Sequence, residues 1–300
     1  MRLRILLTGS NSHLAHVLLP ILCAHPLVEH IAGIDLRPST FTHAKFHSIQ
    51  ADLTQTVPAP HLSRHNTLIH LAWVVLRGKM PLQRMRAINI DASQTWLDCA
   101  AQLNLPHIIH LSSASVYGNG DDLDEHAPIA PICGFRYAEH KAELEHWLIH
   151  HHPHIIRLRP HLILGTQAQP LLQHIFSLPA YIRLPDPQPL LQCVHETDVA
   201  YAILLALIQP AQGAYNLAAA DSFILRDAIL HHHPRAIAMS PAFAQFSLRW
   251  LWRLTGLGGE PGWVAGADRS LTLDCSKAQQ ELGWQASTSS AQMILGRRCR

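Results

Sequence analysis

The sequence has little charge, and lysine and tyrosine are especially scarce. Asp, Glu, Lys and Arg make up 15% of the 300 residues, against roughly 25% in an ordinary soluble domain. Lysine occurs four times and tyrosine five times, whereas histidine occurs 24 times. The net charge of +2 excludes a broad basic surface for nucleic acid. The apolar content of 48% excludes an intrinsically disordered chain.

Long apolar runs and paired cysteines are also missing. The longest apolar run spans Val199 to Ile208, about half of the roughly 20 residues that a membrane-spanning helix needs. The N-terminal apolar stretch breaks at 8–12, which is too early for a signal peptide. The cysteines are scattered without a Cys-x-x-Cys pair, so we expect reduced thiols in a cytoplasmic protein rather than a disulfide-stapled secreted scaffold.

The histidines form two dense clusters, at 150–154 and 231–233. Adjacent residues point to different faces of a helix or strand, so a triplet does not close a tetrahedral metal site by itself. No acid or cysteine stands at ligand spacing. Each histidine triplet, 150–152 and 231–233, is followed by a proline at a predicted helix end, where exposed carbonyls stabilise histidine electrostatically. We therefore predict no metal site.

Short β-rich runs alternate with helical patterns along most of the chain. This alternation predicts an α/β fold, a Rossmann-type doubly wound parallel sheet with helices on both faces and the ligand at the carboxyl ends of the strands. The predicted strands are Leu3–Leu7, His30–Asp35, Phe46–Ala51, Thr67–Ala72, His107–Leu111, Ile155–Arg159 and Ala214–Leu217. The predicted helices are His13–Ala24, Met85–Leu103, Phe135–His151 and Glu196–Ile208.

A change of domain is predicted after Gly165, where the alternation weakens and Pro and Gln become common. Residues 1–165 are expected to form a ligand-binding Rossmann domain, to which 194–218 returns. Residues 166–193 and 219–300 are expected to form a smaller, mostly helical C-terminal substrate lobe.

One segment of that lobe, Phe243–Leu257, combines Trp250 and Trp252 with Arg249 and Arg253. We interpret it as a helix whose aromatic side chains lie in a pocket wall or in the core. An amphipathic helix that contacts a membrane is the alternative.

The first predicted strand ends in a turn of small residues that resembles a dinucleotide site. In such a turn, glycines let backbone N–H groups approach a pyrophosphate at a helix N-terminus. Here Gly9 is present, but Ser12 and Ala15 stand where the next two glycines are expected. Asp35 ends the second strand, where an acid binds the ribose diol and disfavours a 2′-phosphate. The pattern favours NAD, while Arg37 keeps NADP open.

A candidate acid/base pair lies on the predicted helix 135–151. Tyr137 and Lys141 are four residues apart and therefore share one helix face. A neighbouring ammonium lowers the pKa of a phenol from about 10, which suits proton transfer near neutral pH. Both residue types are rare here, so a chance pairing is improbable. Ser113 follows a predicted strand, where its hydroxyl either points into the cleft or caps a turn.

In this order, the motifs resemble the extended short-chain dehydrogenase/reductases of the NAD-dependent epimerase/dehydratase family. The resemblance implies an oxidoreductase or epimerase acting on a hydroxyl or carbonyl, with a nucleotide-sugar as one candidate substrate. It implies that Tyr137 is the catalytic acid/base, that Lys141 lowers its pKa and holds the nicotinamide ribose, and that Ser113 hydrogen-bonds the reacting oxygen. Further implied cofactor contacts are Asp52 and Leu53 at the adenine, and Leu71, Ala72 and Asn89 along the channel.

The sequence departs from the family pattern at the substrate end. Ala114 and Ser115 replace the Asp-Glu pair of the 4,6-dehydratases, which argues against elimination of water. Leu162 replaces a usual Asn, and Leu191 replaces an Arg that grips a substrate diphosphate in many relatives. Such polar anchors are worth about 1.5–3 kcal/mol each. A smaller or more apolar alcohol or carbonyl is thus an equal contender.

Two further expectations complete the hypothesis. The altered glycine turn supports an alternative function, a non-catalytic NAD(P)-binding sensor or scaffold of the same fold. The family resemblance also implies a homodimer through the helices near 85–103 and 135–151. Beyond a second copy, the expected partner is a small-molecule substrate.

Overall fold

The structure is a computed structural model that describes residues 2–76, 78–167, 176–255, 262 and 264–296. Its strands are β1 (Leu3–Thr8), β2 (Val28–Asp35), β3 (Phe46–Gln50), β4 (Thr67–His70), β5 (His107–Leu111), β6 (Gly120–Leu123), β7 (Ile156–Pro160), β8 (Leu162–Leu164), β9 (Ala180–Ile182), β10 (Leu190–Leu191), β11 (Cys193–His195), β12 (Ala214–Leu217), β13 (Phe223–Ile224), β14 (Ile237–Met239) and β15 (Leu271–Leu273). Its helices are α1 (His13–Ala24), α2 (Ala59–Leu62), α3 (Leu82–Arg86), α4 (Ser93–Gln102), α5 (Arg136–His151), α6 (Glu196–Ile208), α7 (Leu225–His232), α8 (Pro241–Thr255), α9 (Ser276–Leu282) and α10 (Ser290–Leu295).

Seven parallel strands form the main sheet, in the order β12-β7-β5-β4-β1-β2-β3. Strand β4 is buried along its whole length, as expected for a strand covered on both faces. One hydrophobic cluster joins the sheet to α1 and α6, and a second joins it to α4 and α5. The predicted Rossmann-type doubly wound sheet is confirmed.

The structure differs from the prediction along the helix expected at Met85–Leu103. Helix α3 ends at Arg86, a π-helix covers Ala87–Ala92, and α4 follows. Within the π-helix Asn89 is fully buried, and its amide pairs with the backbone of Val74. Single π-helical turns frequently occur at functional sites, and hydrophobic spacing alone does not distinguish them from an α-helix.

Smaller sheets flank the main one. A four-stranded sheet has the order β13-β10-β15-β6, and two-stranded sheets join β11 with β8 and β14 with β9. The segment between α9 and α10 binds to α6, because the indole N–H of Trp284 donates to the carbonyl of Asp198 at 2.8 Å. The Asp198 carboxylate also accepts from Ser287. Within the described residues, no helix combines the length and the apolar character needed to cross a membrane.

Helix α8 contradicts the core placement for three aromatic side chains of the segment 243–257, while the side chain of Trp252 lies outside what the structure describes. The side chains of Phe243, Phe246 and Trp250 are exposed rather than placed in the core. The physical reason is that the inner face of the helix carries small or half-buried residues instead, with Ala244 as its buried centre. Positions 256 and 257 lie outside the described residues.

Candidate active site

The turn between β1 and α1 requires glycine at its first position. Gly9 has φ +70°, and a Cβ there would lie 2.7 Å from the backbone nitrogen of Ala72. The Gly9 N–H donates to the carbonyl of Ile34 at 2.9 Å. The turn therefore packs directly against the ends of β2 and β4, at the carboxyl edge of the sheet.

Asp35 lies beside this turn, as predicted. Its carboxylate accepts the backbone N–H groups of Asn11 at 3.0 Å and of Arg37 at 3.3 Å. Ser12 is the N-cap of α1, because its hydroxyl accepts the Ala15 N–H at 3.3 Å. Ser12 and Ala15, which replace glycine, therefore form an ordinary N-cap hydrogen bond at the start of α1.

These residues fit a dinucleotide. The turn has a close backbone approach that only glycine permits, a helix N-terminus and an adjacent carboxylate. The hydroxyl of Ser10 is buried and has no hydrogen-bond partner among the described residues. The turn therefore presents a helix N-terminus and an unused hydroxyl where the fold places the pyrophosphate.

The carboxylate of Asp52 is already engaged within the protein. One oxygen accepts the N–H and the hydroxyl of Thr54, and the other pairs with Arg84. Burial acts to raise the pKa of Asp52, but these contacts outweigh it and lower the pKa. The adjacent Leu53 accepts the indole N–H of Trp96 at 3.1 Å through its carbonyl. Arg84 was not predicted, since no local spacing connects it to Asp52.

Two of the residues predicted to line the cofactor channel, Leu71 and Ala72, directly follow β4. The Leu71 N–H donates to the Thr8 carbonyl at 3.1 Å, which holds Leu71 and Ala72 against the glycine turn. The Asn89 amide accepts the Val74 N–H at 2.7 Å and donates to the Val74 carbonyl at 3.0 Å. Asn89 therefore holds the backbone of Val74, two residues after Ala72, in place.

Tyr137 and Ser113 meet across the cleft. Their side chains are hydrogen-bonded, and burial raises the pKa of Tyr137 while this hydrogen bond opposes the rise. Ser113 is also the N-cap of a short 3₁₀ turn, Ala114–Val116. Its hydroxyl oxygen accepts the Ser115 N–H at 3.2 Å and the Ser115 hydroxyl at 3.0 Å. Ser113 therefore has the cap role and also contacts Tyr137.

Lys141 is buried beside this pair. Its ammonium donates to the Leu111 carbonyl at 2.5 Å and lies 3.5 Å from the ring centroid of Trp73. Burial holds the pKa of Lys141 well below its usual value, and Glu145 opposes that effect. The expected lowering of the Tyr137 pKa is not found, since burial raises it.

A buried charged network lies directly beneath Lys141. Glu145 is one helical turn further along α5 and is fully buried with Arg159, whose Nε donates to it at 2.9 Å. Arg159 also donates to the Tyr117 hydroxyl at 2.6 Å, and that hydroxyl donates to Asn216 at 2.7 Å. Burial acts to raise the pKa of Glu145, but Arg159 outweighs it and lowers the pKa.

Glu145 was not predicted as part of the site. The available signal was its spacing, since it follows Lys141 by four residues and therefore shares its helix face. No role in the site was predicted for Arg159, Tyr117 or Asn216. The structure joins them in one series of hydrogen bonds that runs from Glu145 through Arg159 and Tyr117 to Asn216.

Two buried histidines lie behind the cleft, and they differ in their hydrogen bonds. The His70 ring contacts the hydroxyls of Thr8 and Ser93, each at 2.8 Å. The His110 ring is 5.7 Å from the His70 ring, and neither of its nitrogens has a hydrogen-bond partner among the described residues. Burial lowers the pKa of His70 to about 3 and that of His110 well below its usual value.

At the substrate end, the two replaced anchors lie in strands. Leu162 begins β8 and is paired with Cys193, while Leu191 ends β10 and is paired with Leu271. Both side chains are half-buried. Neither position offers a charged or amide group to a substrate diphosphate.

The sheet and the grouping of tyrosine, serine and lysine at the carboxyl end of β5 define a class, the short-chain dehydrogenase/reductases. A model of the NAD-dependent epimerase/dehydratase family matches residues 5–218. The chain belongs to that family, which confirms the predicted family and its cofactor, NAD.

Individual proteins similar to this chain are distant in sequence. An uncharacterized protein, y4nG of Sinorhizobium fredii (strain NBRC 101917 / NGR234), is 23% identical over 97% of this chain and 76% of its own length. The structure of MoeE5 with UDP-glucuronic acid and NAD has a TM-score of 0.76 at 20% identity, covering 98% of this chain and 96% of MoeE5. UDP-glucuronic acid 4-epimerase from Bacillus cereus, in complex with NAD, has a TM-score of 0.74 at 18% identity, covering 97% and 96%. At these identities the structural likeness establishes the fold.

Proposed function

We propose that the protein is an NAD-dependent oxidoreductase or epimerase that acts on a hydroxyl or carbonyl group through Tyr137, Ser113 and Lys141. The observation that carries the proposal is the hydrogen bond between the Tyr137 and Ser113 side chains beside the buried Lys141. A phenolate in this setting can take a proton from a substrate hydroxyl, and the resulting phenol can return it to a substrate carbonyl oxygen.

Each side chain has a distinct part in this chemistry. The Ser113 hydroxyl hydrogen-bonds the reacting oxygen, and the Tyr137 oxygen takes its proton as the carbonyl forms. When bound, NAD accepts or returns the hydride. The Lys141 ammonium has three donors and uses one on the Leu111 carbonyl, which leaves donors for the nicotinamide ribose.

The remaining cofactor contacts follow the channel described above. The turn at Gly9, Ser12 and Ala15 would hold the pyrophosphate, and Asp35 the ribose diol, with Arg37 at its rim. The residues proposed for the adenine end and the channel wall are Asp52, Leu53, Leu71, Ala72 and Asn89.

The type of reaction is proposed as epimerisation or reduction rather than dehydration. Ser115 is hydrogen-bonded to Ser113, and Ala114 stands beside it, so this turn supplies no carboxylate for elimination of water. The structures of MoeE5 and the B. cereus epimerase support a nucleotide-sugar substrate. The leucines at 162 and 191 favour a smaller or more apolar alcohol or carbonyl instead.

We also propose the predicted organisation of the chain. Residues 1–165 with 194–218 would hold the cofactor, and 166–193 with 219–300 would form the substrate lobe. A cytoplasmic homodimer would form through the helices near 85–103 and 135–151. Light scattering on the purified protein measures its mass directly.

The test combines cofactor binding with turnover. Calorimetric titration is expected to show binding of NAD or NADH in preference to NADPH. Turnover is followed by product analysis with UDP-glucose, UDP-glucuronic acid and a panel of non-nucleotide alcohols. Tyr137→Phe is expected to reduce turnover by about 10²–10⁴-fold while NAD binding persists, and Tyr201→Phe on the exposed face of α6 is the control.

The outcomes separate the candidate functions. No cofactor binding at millimolar concentration contradicts the proposal altogether. Cofactor binding without turnover on any substrate supports the sensor or scaffold function. Full activity of Tyr137→Phe refutes the assigned acid/base.

A further inference from the structure

Helix α8 presents an apolar stripe to the outside of the protein. Its 15 residues pack inward through Ala244, which is buried. On the other side, Phe243, Phe246, Trp250 and Leu254 are 57%, 59%, 48% and 67% exposed. Their spacing of three, four and four residues aligns them on one helix face. The rings of Phe246 and Trp250 are 6.0 Å apart, so the stripe is continuous.

Cations border this stripe. Arg249 and Arg253 follow Phe246 by three and seven residues, so both lie along one edge of the stripe, and both are exposed. The sequence from 228 to 259 contains no Asp or Glu, whereas it contains three arginines. An exposed stripe of Phe, Trp and Leu beside arginines matches a helix that lies in a membrane interface.

We propose that α8 attaches the protein to the surface of an anionic lipid bilayer. The helix would lie flat, with its stripe at the boundary between headgroups and acyl chains and its arginines at the lipid phosphates. At 1.5 Å per residue, its length is about 22 Å, which is too short to cross the roughly 30 Å hydrocarbon core. The attachment is therefore peripheral.

The charge pattern favours a bilayer over a second copy of the chain. A two-fold contact between two α8 stripes brings the same surface against itself. When the two helices run antiparallel, it would place Arg249 and Arg253 of both copies on the same side, and the segment 228–259 supplies no carboxylate to pair with them. An anionic membrane supplies negative charge along the whole stripe.

The helix also lies next to the loop that follows β4. The Lys79 ammonium donates to the carbonyl of Leu254 at 2.9 Å. The same loop carries Trp73, whose ring lies over Lys141. Attachment through α8 would therefore bring one rim of the catalytic cleft close to the bilayer.

The experiment is vesicle flotation with the whole protein. Vesicles of phosphatidylcholine alone are compared with vesicles of phosphatidylcholine mixed with phosphatidylglycerol. We expect binding to the anionic vesicles, weakened by added salt, with a blue shift of tryptophan fluorescence. Trp250→Glu and Phe246→Glu are each expected to weaken binding roughly tenfold or more, the effect of losing one buried aromatic side chain.

A matched control comes from α6. Tyr201 is 48% exposed, as Trp250 is, and Tyr201→Glu should leave vesicle binding unchanged. Arg249→Gln with Arg253→Gln should remove the preference for anionic vesicles. Because all these side chains are exposed, circular dichroism should stay the same.

Three results would overturn the inference. One is the absence of binding to anionic vesicles at low salt. Another is equal binding by Trp250→Glu and the parent protein. The third is a dimer in light scattering that Phe246→Glu converts to monomer, since the stripe would then be buried between copies.

Discussion

The two ends of the candidate active site are held together by different kinds of interaction. At the cofactor end, the turn around Gly9 is held by backbone hydrogen bonds to Ile34 and by close packing on Ala72. At the chemical end, Lys141 sits above a fully buried carboxylate, Glu145, and its partner Arg159. The cofactor end requires a residue without a side chain at Gly9, whereas the chemical end requires the charged side chains of Lys141, Glu145 and Arg159.

This difference explains which family positions can change. Helix α1 still begins regularly when Ser12 and Ala15 replace glycine, because both residues are small and Ser12 caps the helix. A buried charge has no such freedom, since removing one partner leaves the other unpaired in a medium of low dielectric constant. The comparison predicts that substitutions at the chemical end have the largest effects.

The largest effect is expected for Glu145→Ala. Loss of this carboxylate leaves Arg159 buried without its ion-pair partner, which typically costs about 3–5 kcal/mol of unfolding free energy. Glu143→Ala, two residues away, is the control, because its pair with Arg86 is 40% and 48% exposed and worth about 0–1 kcal/mol. Urea unfolding measures both, and equal losses would remove the distinction between the two ends.

A smaller effect is expected for Gly9→Ala at the cofactor end. An L-residue in the left-handed region costs about 1–2 kcal/mol, and here the new Cβ also collides with Ala72. Gly283→Ala is the matched control, because its φ is +66° but nothing lies within 4 Å of the added Cβ. Gly9→Ala should lose more stability than the control and also weaken NAD binding, measured by calorimetry. Similar losses in both variants would mean that the turn tolerates the extra atom.

The smallest effect concerns the buried histidines behind the cleft. In the folded protein the pKa of each histidine lies below the usual 6.5. Just below pH 6.5 the histidine therefore binds a proton in the unfolded chain but stays neutral in the folded protein. Stability is therefore complete above pH 6.5 and is lost as the pH falls towards the folded pKa. Each such histidine contributes about 1.4 kcal/mol per pH unit to this loss.

His110→Phe tests this pH dependence without removing a hydrogen bond among the described residues. Its unfolding free energy should fall less steeply between pH 6.5 and 5 than that of the parent, by about 1.4 kcal/mol per unit. His70→Phe is the contrasting variant, because it also loses contacts with Thr8 and Ser93. If the unfolding free energy of His110→Phe depends on pH as steeply as that of the parent, His110 does not cause this pH dependence.

Much of the fold could be predicted because its signals are local. Helix α1 begins and ends where the spacing predicted, at His13 and Ala24, and β5 and β12 have the predicted bounds. Gly9, Asp35 and the Tyr137–Lys141 pair were found from residue type and spacing. Each of these signals lies within one element or at its end.

The missed features depend on contacts between distant parts of the chain. The π-helix places Asn89 against Val74, and Trp73 covers Lys141 from another strand end. Helix α8 was misassigned for a related reason. Its spacing is the same whether its apolar face meets a core or the solvent, so periodicity cannot decide between them.

The order of strands in the main sheet has a consequence for synthesis of the chain. Strand β1 is made first and lies inside the sheet, and every later strand pairs with one already made. β2 and β3 extend it on one side, while β4, β5, β7 and β12 extend it on the other. A ribosome-bound chain can therefore assemble the sheet outward without leaving a gap for a later strand. The fastening of α6 by Trp284 and Ser287 follows later, once those two residues have been made.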